Sequence, residues 1–175
     1  MTARLKILVI DASIARAAGG KDAQHPDSVN AREFLRAVHD VGHKLGMTSA
    51  IRAEWDRHQS NFSLQWRKTM VARKRFVARA VPEDKSLRNE IDVLPASASD
   101  RGAMKKDCHL LEAALAFDKR IASKDDTVHQ LFKTSATRVT KIRHLIWVNP
   151  LTEADTIQRW LKQGAPDKAV WELKA

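Results

Sequence analysis

The chain has one cysteine, Cys108, in 175 residues. An internal disulfide is therefore excluded, and a reducing compartment, the cytoplasm, is the expected location. No apolar run approaches the ~20 residues that a membrane span needs, so no membrane partner is expected. The apolar run near the start, Ile7 to Ile10, stops at Asp11. It is too short and too early for the core of a signal peptide. Internal repeats and low-complexity tracts are also lacking, which argues against a solenoid or a linker. Acid is in short supply: 21 Asp and Glu stand against 31 Lys and Arg, a formal charge of +10. That imbalance favours polyanionic partners, nucleic acid before anionic membrane. The hydrophobic content of 43% is that of an ordinary globular chain. A chain of this length buries a real core, and residues 1–175 read as a single domain.

What is present begins with LKILVIDAS, Leu5 to Ser13. Four consecutive apolar residues running into an aspartate fit a strand buried on both faces of a parallel sheet. Ligands of open α/β sheets bind beyond the carboxyl ends of such strands, where Asp11 stands. Asp is equally at home in a turn or at a helix N-cap, so Asp11 alone leaves site and cap open.

Further along, Phe34, Leu35, Val38, Val41 and Leu45 have helical spacing over 29–45, with Asp27 or Ser28 as cap and Gly46 as terminator. Met47 to Ala50 reads as a short second strand, followed by a helix carrying Glu54 and Trp55. Ser63 to about Ala80 reads as one helix, stopped by Pro82. The stretch of about 63–105 is the expected helical and loop insertion. Asp107 to Lys119 predicts a helix, Arg120 to Ser123 a strand, and 126–133 a helix. HLIWV at 144–148 predicts a strand, and Glu153 to Gln163 a last helix capped by Thr152 and ended by Gly164. Alternation of this kind predicts an α/β fold of three layers, α/β/α, with four to five short, mostly parallel strands.

On that layout four acids meet at one edge. Asp11 follows the first strand, Glu54 lies early in the helix after the second, and Asp125 follows the third. Asp107 is expected at the start of the helix before that third strand. Each alone has a plainer reading, as cap, solvated helix residue or turn former. Together, four carboxylates repel one another unless a cation is present. Oxygen-only ligation suits Mg²⁺ or Mn²⁺ and not zinc.

The motifs VIDAS at 9–13, TSAIRAEW at 48–55, KDCHLLEAALAFDKRIASKD at 106–125 and LIWVNP at 145–150 carry a resemblance. The chain resembles PIN-domain ribonucleases, most closely the VapC-type toxins among them. The resemblance runs through nearly the whole chain in order and is weakest over 78–105. It implies a PIN-like, Rossmann-like fold and metal-dependent cleavage of RNA. It implies Asp11, Glu54, Asp107 and Asp125 as the catalytic, metal-holding acids, with Ser13 and Ser123 as supporting hydroxyls. It further implies an antitoxin partner if the chain is a toxin, and a homodimer. Where toxin members carry one more acid or amide and then Asp-Phe, this chain has Thr127-Val128-His129, with Asp126 the available substitute. The alternatives are a PIN-like nucleic-acid-binding scaffold that does not cut, and a structure-specific DNA nuclease.

Between Phe62 and Pro82 there is no acid, but there are Arg67, Lys68, Arg73, Lys74, Arg75 and Arg79. As one helix they would track a phosphate backbone or simply form a solvated face. Arg138, Lys141 and Arg143 are a second basic group. Trp66 and Phe76 would either stack on bases or, at helical spacing with Met70, join the core. His39 and His43 imitate a zinc-protease pair, but Asp40 stands where the general-base Glu belongs and Gly42 interrupts the helix. Cys108 beside Asp107 lacks the partners of a nucleophile and reads as a small core residue.

Overall fold

The computed structural model describes residues 4–174. Five parallel strands form one sheet in the order β3-β2-β1-β4-β5. They are β1 (Ile7–Ile10), β2 (Lys44–Met47), β3 (Phe76–Ala78), β4 (Arg120–Ala122) and β5 (Ile146–Val148). Parallel pairing needs crossovers, and helices supply all of them. Between β1 and β2 run α1 (Ala12–Ala17) and α2 (Pro26–Val41); between β2 and β3, α3 (Ser49–His58) and α4 (Asn61–Ala72). Between β3 and β4 lie α5 (Lys85–Asp92) and α6 (Ala98–Ala116), then α7 (Asp126–Ser135) before β5 and α8 (Ala154–Lys162) after it. α2 packs on α1, α4 and α8, whereas α6 packs on α5, α7 and strands β1 and β4. The result is the three-layer α/β/α arrangement, with the sheet between two helical layers.

The chain leaves β1 in one direction, to β2 and β3, then returns to the other side of β1 with β4. The order therefore reverses between β1 and β4, and a crevice opens at their carboxyl ends. Val9 and Ile10 of β1 are fully buried, as are Trp55 of α3, Phe34 of α2 and Trp147 of β5. One contiguous core joins both faces of the sheet. No helix among the described residues is long and apolar enough to cross a membrane.

The structure corrects several sequence expectations. α2 ends at Val41, not at 45, because Gly42 takes the left-handed conformation at φ 100° that closes a helix. Its cap is His25, with Pro26 following, rather than Asp27 or Ser28. Leu45 and Gly46 consequently belong to β2, which lies three residues earlier than expected. Gly46 is there for space: a Cβ on it would meet the Phe117 ring at 2.8 Å.

The expected helix of 63–80 is two elements. α4 stops at Ala72, Lys74 turns the chain at φ 56°, and Phe76–Ala78 enters the sheet beside β2. The stretch of 63–105 is thus not wholly an insertion, since it supplies the edge strand β3. Finally, α6 starts at Ala98, so Asp107 is its tenth residue and not its first.

Candidate functional site

Asp11 occupies the N-cap position of α1, yet its side chain makes no cap hydrogen bond. Instead Ser13 Oγ donates to Asp11 Oδ2 at 2.5 Å and Ser123 Oγ donates to the same oxygen at 2.7 Å. The Asp125 backbone N–H donates to Ser123 Oγ, and that of Lys124 to Ser13 Oγ. The two hydroxyls thereby tie the end of β1 to the end of β4 and fix the Asp11 carboxylate.

A cleft of about 640 Å³ opens at this point. Asp11, Glu54, Asp107 and Asp125 all line it, together with Ser13. The four acids predicted from the sequence therefore share one edge of the sheet. Their placement differs in detail from the expectation. Asp107 stands in the middle of α6, where a helix dipole gives a carboxylate no help. Its pKa is pushed up to about 6, first by burial and then by the Asp11 carboxylate, with Asp125 adding to the rise. His109 and Lys106 pull it back. Asp125 is the N-cap of α7, its Oδ1 accepting from the Val128 N–H at 2.9 Å, so it serves as cap and as cleft acid. Asp126 does not line the cleft; its Oδ1 accepts from Asn149 Nδ2 at 3.0 Å. That bond fastens the start of α7 to the end of β5 and engages one of the two Asp126 carboxylate oxygens.

Glu54 has a partner that sequence reading missed. His109 Nε2 stands 3.2 Å from Glu54 Oε2, and His109 Nδ1 stands 3.0 Å from the Lys106 carbonyl oxygen. The only signal for it was its position two residues after Asp107.

A hard divalent cation is the group that such acids imply. The donors are of the right kind: carboxylate oxygens, with Asp11 held by two hydroxyls and no sulfur within the lining. They are spread around the cleft. Among the described residues no three acid, histidine or cysteine side chains are already gathered closely enough to hold a metal ion.

The cations around these acids are not the ones singled out in the sequence. Arg16 at the end of α1 and Arg57 and His58 at the end of α3 line one side; Lys106 of α6 and Lys124 after β4 also line the cleft. None of Arg67, Lys68, Arg73, Lys74, Arg75 or Arg79 lines it. Arg67 pairs with Asp56 at 2.7 Å. Arg75 donates to the His39 carbonyl, and Arg79 donates to that of Ala116 and lies over the Phe117 ring. In the second basic group, Lys141 pairs with Asp84 and Arg143 donates to two backbone carbonyls.

The decoys resolve as structural. Trp66 is buried and stacks on Trp55. Phe76 belongs to β3 and is half-buried. His43 accepts from the Lys6 N–H and donates to the Leu161 carbonyl, far from any metal role. Cys108 is fully buried, and burial pushes its thiol up to about 12. No protein-family model matches the chain, and no curated relative matches it either.

Proposed function

We propose that the chain is a metal-dependent endoribonuclease of the PIN-domain type, hydrolysing RNA phosphodiester bonds in the cleft between the ends of β1 and β4. The observation that carries this reading is the convergence of Asp11, Glu54, Asp107 and Asp125 on one cleft that is also lined by Arg16, Arg57, His58, Lys106 and Lys124. A phosphodiester needs cationic contacts for its backbone and a charged centre for its chemistry; the cleft offers both.

Asp11, Glu54, Asp107 and Asp125 would hold Mg²⁺ or Mn²⁺. When bound, such an ion supplies neutralisation of phosphate charge and acidifies water. Ser13 and Ser123 keep the Asp11 carboxylate from turning. One of these acids, Asp107 or Asp125, would also take the proton from water; the Asp125 Oδ1 is already committed to the Val128 N–H. The cations at the ends of α1 and α3 hold the substrate backbone on one side of the acids.

A cytoplasmic location, a homodimer and an antitoxin partner belong to the same proposal, the last two on the resemblance alone. A small reading frame directly upstream would support the toxin pairing.

The test is incubation with single-stranded RNA, structured RNA and flap DNA in Mg²⁺, in Mn²⁺ and in chelator. RNA cleavage that requires metal and is lost in Asp11→Asn is the expected result. Cleavage of flap DNA alone would move the protein to the structure-specific DNA nucleases. Binding without cleavage under any metal would make it a nucleic-acid-binding scaffold.

A further inference from the structure

We infer that His109 is a positioning residue for Glu54, tying α3 to α6 beside the cleft so that the Glu54 carboxylate stays turned toward the other three acids. The inference rests on the reading of the cleft as a cation site.

Three observations carry it. His109 is buried, with 9% of its surface exposed, although it lies one turn from the open cleft. Both of its ring nitrogens face oxygen acceptors, Glu54 Oε2 and the Lys106 carbonyl. Each ring nitrogen is turned to one of these oxygens, and His109 is not among the residues that line the cleft, which separates it from the ligands. And the bond it makes joins two helices that also touch directly: α3 packs on α1 and on α6, while α6 packs further on α5 and α7.

Glu54 needs such a tether. It is the sixth residue of α3, with no cap or backbone contact of its own, and Arg57 and His58 follow within one turn. Free, its flexible side chain would turn to solvent or toward those cations. The His109 bond takes Oε2 and leaves Oε1 for the cleft. Partners of this kind, which orient a ligand without touching the ion, commonly cost tenfold or more in metal affinity when removed.

The test is Mn²⁺ binding to the full chain, followed by calorimetry and by the paramagnetic resonance of free Mn²⁺, with circular dichroism confirming the fold. His109→Leu is expected to weaken Mn²⁺ about tenfold. His109→Gln, whose amide reaches a similar distance and donates to Glu54, is expected to recover most of that loss. In a Glu54→Gln background the His109→Leu change is expected to add little, since the tether then has nothing to hold. Equal affinity in wild type and His109→Leu would overturn the inference while sparing the cation site. Equal weakening by Leu and Gln would overturn it too, by assigning the effect to shape. Absence of Mn²⁺ binding by the wild type would remove the cation site itself, and the inference with it.

Discussion

Trp55 Nε1 donates to the Ile10 carbonyl at 2.8 Å, inside the core. Each partner is next in sequence to an acid of the cleft, Glu54 and Asp11. One buried hydrogen bond therefore sets the position of α3 against the end of β1 and, with it, two of the four carboxylates. Trp55 is fully buried and also stacks on Trp66 at 6.2 Å.

Trp55→Phe tests this bond. Phenylalanine keeps an aromatic ring but leaves the Ile10 carbonyl without its donor. A loss of about 1–3 kcal/mol is expected, the cost of an unsatisfied buried group. Urea unfolding measures it; an unchanged midpoint would show that the bond carries no stability.

Asp11→Asn removes one charge at nearly constant shape. Loss of metal-dependent RNA cleavage is expected, together with a melting temperature that holds or rises in chelator, because repulsion falls. The paired measurement matters. Unfolding of Asp11→Asn would mean that the serine-held carboxylate is a structural clasp rather than a reactive group.

Asp107 gives a pH signature. Its folded pKa of about 6 lies above the unfolded 3.8, so the folded state binds the proton more tightly between those values. Stability from this group therefore falls as pH rises from about 4 to about 6, and the cost is fully present above 6. Asp107→Asn should be more stable than wild type at pH 7 and no more stable near pH 4, in chelator. The shift itself would give about 3 kcal/mol at 1.36 kcal/mol per unit. Because the group opens on the cleft and solvent screens it, roughly 1 kcal/mol is expected. Melting curves at the two pH values decide it.

His43 titrates with the opposite sign. Burial, first of all, lowers its pKa below 6.5, and its neutral ring accepts from Lys6 N–H while donating to the Leu161 carbonyl. The stability it contributes is complete above pH 6.5 and is lost as pH falls toward the lowered folded value. His43→Asn should be destabilised at pH 7.5 and should show a shallower acid dependence than wild type. Parallel acid profiles for the two proteins would refute that assignment.

On the proposed reading, two basic surfaces are candidates to hold the RNA backbone. If the cleft cations carry it, Arg16→Ala and Arg57→Ala should each lower the slope of log affinity against log salt by about 0.7 for a single strand. Reversal of Arg73 and Lys74 to Glu should then change that slope little. The converse pattern from a salt titration would hand the backbone to the α4–β3 surface.

The sheet and its edge were legible because buried parallel strands announce themselves as short apolar runs, as Ile7–Ile10 and Ile146–Val148 do. β3 was not, since Phe76-Val77-Ala78 sits among cations and continues the apolar spacing of α4. Only the left-handed Lys74 separates the two elements, and lysine carries no sequence mark for that conformation. The acids were legible by their order and spacing. Their partners were less so: Ser13 and Ser123 stand close to acids in sequence, but His109 meets Glu54 across 55 positions. The start of α6 was obscured because Ala98 to Lys106 is polar and its apolar stripe begins in earnest only at Cys108.

The early start of α6 has an evolutionary and engineering consequence. The half of the helix after Asp107 is buried, with Cys108, Leu110, Leu111, Ala113 and Ala114 locking its rotation. The preceding half is largely exposed apart from Met104, and carries Lys106 into the cleft. The azimuth of Asp107 is thus set chiefly from its C-terminal side, with Met104 as the anchor on the other. Of residues 98–107, Lys106 and Asp107 line the cleft, so changes among the exposed residues before Met104 would leave the carboxylate in place. One residue added between Asp107 and β4 would swing it about 100° around the helix. On the proposed reading the turns before Met104 are therefore open to sequence drift, whereas the turns after Asp107 hold the bearing of its carboxylate.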